Sequence, residues 1–110
     1  MKDIDKEDVI HWLFDLMPHV NVSHHHTGEI KLKLLFSGMT LINKMDPDIL
    51  TEVIPGILSV KTNWISRSFT IGYDPEELPY DVLEDLFSLK KNPDQKLQIL
   101  DSIRKTIDAT

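Results

Sequence analysis

The sequence predicts an α+β fold in which helices cover one face of an antiparallel sheet. Stretches with the 3.6-residue period of an amphipathic helix alternate with stretches that have the two-residue period of a strand. Only residues 63–66 separate the last two predicted strands, which is the length of a hairpin turn. The chain has 110 residues, of which 41% are apolar and 27% charged, so we expect a single domain with its own core.

The first predicted helix covers residues 5–17. Its apolar residues recur three and four positions apart and are Ile10, Leu13, Phe14 and Met17. Carboxylates crowd its first turn, where the positive end of the helix dipole favours them, and Pro18 ends it. We expect this helix to dock on the rest of the domain, because its apolar face is too broad to leave in water.

The remaining elements follow in order along the chain. Apolar and polar residues alternate over 20–36, as in a strand with one solvent-exposed face, and Thr27-Gly28 interrupts the pattern. The pattern then predicts a short helical turn from residue 39, a helix over 47–54, strands over 57–63 and 67–73, and helices over 79–88 and 92–107. Pro79 stands in a first helical turn and Pro75 cannot join a ladder, so both support these limits.

The order strand, helix, strand, strand, helix is most of the split βαβ, or ferredoxin-like, pattern. The closing fourth strand is not evident, because residues 88–110 contain no alternating β-branched run. We therefore expect residues 1–110 to form one domain. It would have an amphipathic helix over 1–18, a ferredoxin-like core over 26–88, and a final helix over 92–108 in place of the fourth strand.

Composition excludes several classes of function. The chain has no cysteine, which rules out disulfides, thiolate metal sites and thiol catalysis. Its net charge of −6 lacks the basic footprint of a nucleic-acid-binding protein. No apolar run approaches the roughly 20 residues of a membrane span, and the acidic N-terminus is unlike a targeting peptide. We expect a soluble, cytoplasmic protein without nucleic-acid partners.

Four short motifs occur in order along the middle of the chain. They are TGEIKLKL at 27–34, PGILSV at 55–60, YDP at 73–75 and LP at 78–79. Together they make residues 26–87 resemble the heavy-metal-associated domain family, in the branch that lacks the Cys-x-x-Cys metal site. The resemblance implies a ferredoxin-like fold and a role connected with metals. The two thiolate positions of the metal-binding branch fall on Leu41 and Lys44, and neither residue can bind a cation.

Histidines offer a different ligand set. His24, His25 and His26 are consecutive, and His19 lies five residues before the first of them. In an extended strand His24 and His26 share one face while His25 points to the other. Neutral imidazoles bind zinc, copper or nickel, and they also ligate haem iron. The sequence supports two interpretations, a metal or haem site completed by His19 or a carboxylate, and a polar, exposed segment that leads into the strand.

Two large apolar residues, Trp64 and Ile65, stand at the predicted hairpin tip. They form either a docking patch or a surface that the terminal helices cover. The acidic residues between 74 and 85 are interpreted as a solvated helix start.

No nucleophile–base motif or phosphate-binding loop is recognisable, so we expect no catalysis. The expected function is binding of a transition metal or a metal-bearing cofactor for homeostasis, transport or delivery, with a metal transporter or metalloprotein as partner. The alternative is a metal-free interaction module, or a homo-oligomer, that uses the hairpin tip or a sheet edge.

Overall fold

A computed structural model describes the backbone of residues 5–108 and the side chains of residues 5–106. Helix α1 (Lys6–Leu16) is capped at its N-terminus by Asp5, whose carboxylate accepts a hydrogen bond of 3.0 Å from the backbone N–H of Glu7. The indole of Trp12 donates to the carbonyl of Leu41 at 2.7 Å and ties α1 to the following helical segment. The buried residues of α1 are Val9, Ile10, Trp12, Leu13, Phe14 and Leu16.

Four antiparallel strands form one open sheet. Their bounds are Val20–His26 for β1, Glu29–Leu34 for β2, Ile57–Asn63 for β3 and Ser68–Tyr73 for β4. The order across the sheet is β1-β2-β4-β3, so β1 and β3 are the two edges. β2 and β3 both run antiparallel to β4 and are therefore parallel to each other.

Four further α-helices connect or follow these strands. They are α2 (Met39–Ile42), α3 (Ile49–Val53), α4 (Tyr80–Phe87) and α5 (Lys96–Asp108). Gly56 turns the chain from α3 into β3 with φ at +95°, a conformation that favours glycine, and Leu78 packs closely against it. No helix in residues 5–108 is long and apolar enough to cross a membrane.

All the helices contribute to one hydrophobic core with a single face of the sheet. The sheet supplies buried Ile30 and Leu32 from β2 and Phe69 and Ile71 from β4. Every second residue along β2 and β4 belongs to this core, and the residues between them do not. The sheet therefore has one covered face and one open face.

The structure corrects the predicted count of strands. A fourth strand is present, but it precedes the predicted core of 26–88 and does not follow it. β1 lies beside β2 and begins at Val20, so the α+β class and the antiparallel sheet are confirmed while the ferredoxin-like order is not. The closing helix α5 begins at Lys96, four residues later than predicted, and it buries Ile99 and Ile103 while Leu97 is exposed. Two parts of the predicted terminal helices lie outside the described residues. They are residues 1–4 and the side chain of Ile107.

Candidate functional site

A β-bulge in β1 decides which histidines face the helices. Val22 pairs with Leu32 but His24 pairs with Lys31, so one extra residue, Ser23, is inserted between the two pairs. An extra residue reverses the alternation of side chains along a strand. Even-numbered residues therefore face the core before the bulge, and odd-numbered residues do so after it. His25 is the histidine that turns inward.

His25 is held in a polar network beneath the sheet. Its side chain is only 2% exposed, and its Nδ1 lies 2.8 Å from Oε1 of Glu84 on α4. Its Nε2 lies 2.7 Å from the hydroxyl of Tyr73 at the end of β4. The ring stacks on Tyr80, with centroids 3.8 Å apart and planes inclined by 13°. Both ring nitrogens have partners, as a buried imidazole requires.

Glu84 joins this network from the helix side. The hydrogen bond from His25 holds the pKa of the Glu84 carboxyl below its usual value, although partial burial opposes the shift. The hydroxyl of Tyr80 donates to the same carboxylate oxygen at 2.9 Å, and this bond raises the pKa of Tyr80. The network thus joins β1, β4 and α4 through one ionised carboxylate.

The order hydroxyl, imidazole, carboxylate in Tyr73, His25 and Glu84 matches the order of groups in nucleophilic triads. A nucleophile must reach its substrate, but Tyr73 is only 3% exposed and lies in the hydrophobic core. Its hydroxyl also lies 3.4 Å from the carbonyl of His26, which keeps it against the strand. The arrangement is therefore suited to fixing β1 in the sheet and not to attacking a substrate.

His24 and His26 lie on the open face, as alternation in an extended strand predicts. Their ring centroids are 4.9 Å apart with planes tilted by 43°. A carboxylate oxygen of Glu29 on β2 lies 4.0 Å from Nε2 of His24. Lys31 is the direct cross-strand partner of His24, so an ammonium group is close to this pair as well.

The four predicted metal ligands do not come together. His25 faces the opposite side of the sheet, and His19 lies before β1 with its Nδ1 2.7 Å from the hydroxyl of Ser37. Within residues 5–106, no group of three or more His, Cys, Asp or Glu side chains is arranged to hold a metal ion. Only His24 and His26 remain as a pair.

The hairpin tip is exposed. Ile65 is 97% and Trp64 is 50% accessible to solvent, so neither α1 nor α5 covers them. Trp64 packs against Phe69 in a T-shaped arrangement, with ring centroids 5.8 Å apart. Leu58, on the neighbouring edge strand β3, is 68% exposed. These three residues, Leu58, Trp64 and Ile65, are called the β3 apolar edge below.

Sequence reasoning missed the partners of His25. Tyr73, Tyr80 and Glu84 lie 48, 55 and 59 residues away along the chain, and no local pattern links them to the histidine run. The one available signal was a tyrosine at the end of a strand and another at the start of the next helix. Both positions lie near the edge of the core, where a hydroxyl can reach a polar partner.

No family model, curated protein or solved structure matches this chain.

Proposed function

We propose that this chain is a small, non-catalytic protein-interaction domain that pairs with a second copy of itself along strand β3. The observation that carries the proposal is the position of the β3 apolar edge. Leu58 is exposed on the edge strand β3, and Trp64 and Ile65 are exposed in the turn that follows it. An exposed apolar surface of this kind is typical of a protein–protein contact.

The chemistry of β3 supports pairing through its backbone. Sheet edges are usually protected by charged residues or proline, because their free N–H and C=O groups invite another strand. β3 contains no proline over Ile57–Asn63, and Lys61 is its only charged residue. An extended segment added to this edge would satisfy the free backbone groups and cover the exposed side chains.

A symmetric antiparallel pairing suits the order of side chains in β3. If the two-fold axis passes at Val60, Lys61 lies opposite Ser59 of the second copy, and the two ammonium groups do not face each other directly. Leu58 is the extra residue of a β-bulge between Ile57 and Ser59, so this regular register covers Ser59–Lys61 and Leu58 lies at its end. Apolar surface from both copies would then be removed from water, which favours association.

Sedimentation equilibrium over a wide range of protein concentrations tests this proposal. We expect a monomer–dimer equilibrium for the wild type and a monomer for the double variant Leu58→Asp, Ile65→Asp. The matched control is Phe36→Asp, Leu97→Asp, which adds the same charges at two other highly exposed apolar positions and should leave the dimer intact. A wild type that stays monomeric at every concentration, or a double variant that still dimerises, refutes the proposal.

Metal binding by His24 and His26 is the second candidate function. Their adjacent rings on the open face favour it, since two imidazoles can supply half of a four-ligand site. Glu29 is near His24 but does not complete a three-ligand group, and the ammonium of Lys31 opposes cation binding by charge repulsion. The domain would then capture zinc, copper, nickel or haem and deliver it to a transporter or metalloprotein.

Calorimetric titration with each metal and with haem tests the second candidate. The variant His24→Ala, His26→Ala should bind at least about tenfold more weakly than the wild type, which corresponds to ~1.4 kcal/mol. His11→Ala is the control, because His11 is an exposed histidine on α1, away from the pair. Equal affinities in all three proteins would remove the metal site.

We also propose that the domain is a ferredoxin-like variant located in the cytoplasm. β2 and β3 are parallel, joined through α2 and α3, and separated in the sheet by β4, which supports a split βαβ unit. β1 then takes the place beside β2 that a strand after α4 would occupy. The resemblance to the heavy-metal-associated family is part of this proposal, and an experimental structure of a member of the Cys-less branch would test it.

A further inference from the structure

The paired positions on the open face of the sheet carry polar side chains, apart from Gly72. The pairing of the four strands places the outward-facing residues in three rows across the sheet, and none of these residues is buried. From β1 to β3 these rows are Asn21, Lys33, Ser68 and Asn63; His24, Lys31, Thr70 and Lys61; and His26, Glu29, Gly72 and Ser59. Lys90, in the helical turn after α4, donates to the side-chain oxygen of Asn21 at one corner of the face, and every one of the twelve positions keeps some exposure.

The charge of this face is opposite to that of the chain. It carries three lysines, Lys31, Lys33 and Lys61, against the single carboxylate of Glu29, whereas the whole chain has a net charge of −6. Among residues 5–106, none of these three lysines forms an ion pair. An excess of unpaired ammonium groups on one face favours the approach of a negatively charged partner to that face.

We propose that this face binds an acidic, extended segment of another polypeptide. Lys31 and Lys33 are two residues apart on one strand, about 6.8 Å, which equals the spacing of alternate side chains in an extended peptide. Lys61 lies two strands from Lys31, roughly 10 Å across the sheet. Ser68, Thr70 and Ser59 supply hydroxyl groups between them. The proposal concerns the face and not the edge of β3, and it does not depend on dimerisation.

The composition of the face disfavours the other polyanions. Sheet surfaces that bind single-stranded nucleic acid stack bases on aromatic side chains across the sheet. The twelve outward positions contain no Phe, Tyr or Trp, and their only rings, His24 and His26, are confined to the edge strand β1. Surfaces that bind membranes insert apolar side chains, and these positions contain none. A carboxylate-rich peptide needs neither feature, because ammonium groups and hydroxyls are sufficient to bind it.

Fluorescence anisotropy tests the proposal with three labelled probes. These are a peptide of alternating Glu and Thr, the same peptide with Gln in place of Glu, and a single-stranded oligothymidine of similar length. Each probe is titrated with three proteins. They are the wild type; the open-face variant, which combines Lys31→Gln, Lys33→Gln and Lys61→Gln; and the control variant, which combines Lys44→Gln, Lys96→Gln and Lys105→Gln. The control removes the same charge from exposed lysines of the helical layer. Circular dichroism confirms that each variant is folded.

We expect the acidic peptide to bind the wild type and the control alike, more weakly as salt is raised. The open-face variant should bind it about tenfold more weakly, as the loss of three exposed charge pairs implies. The Gln peptide should bind none of the proteins. The proposal is overturned if the acidic peptide does not bind the wild type at low salt, if the open-face variant and the control lose affinity equally, or if the oligothymidine binds more tightly than the peptide.

Discussion

The substitution Tyr73→Phe isolates the contribution of the buried polar network. It removes one hydroxyl and leaves the ring in place, so the packing of the core is preserved. Nε2 of His25 then loses its partner at 2.7 Å, and water cannot replace it because the His25 side chain is 2% exposed. A buried polar group left without a partner costs about 1–3 kcal/mol, and we expect the free energy of unfolding to fall by this amount.

Urea denaturation at pH 7, followed by tryptophan fluorescence, measures this loss. At constant m value the midpoint should shift to lower urea, and the melting temperature should fall by roughly 4 °C for each kcal/mol. The matched control is Tyr80→Phe, which removes a hydroxyl that bonds to the partly exposed carboxylate of Glu84. Water can replace that hydroxyl, so the control should lose less. A loss below about 0.5 kcal/mol for Tyr73→Phe, or equal losses for both variants, contradicts the account of the network.

Three further substitutions test other parts of the structure. Glu84→Gln should be less stable than the wild type at pH 7. The stabilities of the variant and the wild type should converge in acid. A carboxyl whose pKa is lowered in the folded state stabilises the fold above its usual pKa of 4.5, and that contribution is lost as pH falls through the lower, folded-state pKa. A constant stability difference between pH 7 and pH 3 would argue against this. Gly56→Ala should lose about 1–2 kcal/mol in urea denaturation from the left-handed backbone alone, and more from the Leu78 contact, where an added Cβ would approach to 2.9 Å; wild-type stability would show that the turn is not strained. Trp12→Phe should lose about 1–2 kcal/mol, because the indole no longer donates to the carbonyl of Leu41; an unchanged urea midpoint would show that this bond does not hold α1.

The helices and the hairpin of β3 and β4 could be predicted because each carries a complete local signal. The alternation of Phe69, Ile71 and Tyr73 gives β4, and the short turn before it gives β3 with its observed bounds, Ile57–Asn63. The apolar spacing of α1 gives its buried face, with Asp5 as its cap. In α5 the spacing is ambiguous, because Leu97 and Ile99 both fit an apolar stripe and only packing against the core selects Ile99.

β1 could not be recognised as a separate strand for two reasons. Three of its seven residues are histidines, which lack the branched or aromatic character typical of strands. The bulge at Ser23 also interrupts the alternation, so the period of the first half does not continue into the second. The division of the histidines between two faces was predictable from an extended conformation, whereas the buried partners of His25 depend on distant parts of the chain.

Amide hydrogen exchange in β3, followed by NMR at increasing protein concentration, tests the proposed self-association most directly. If a second copy occupies that edge, the backbone amides of Ile57–Asn63 that point away from β4 exchange more slowly as the concentration rises. The outward amides of β1, the other edge, provide the internal reference and should keep constant rates. Exchange in β3 that does not depend on concentration would contradict pairing through this strand.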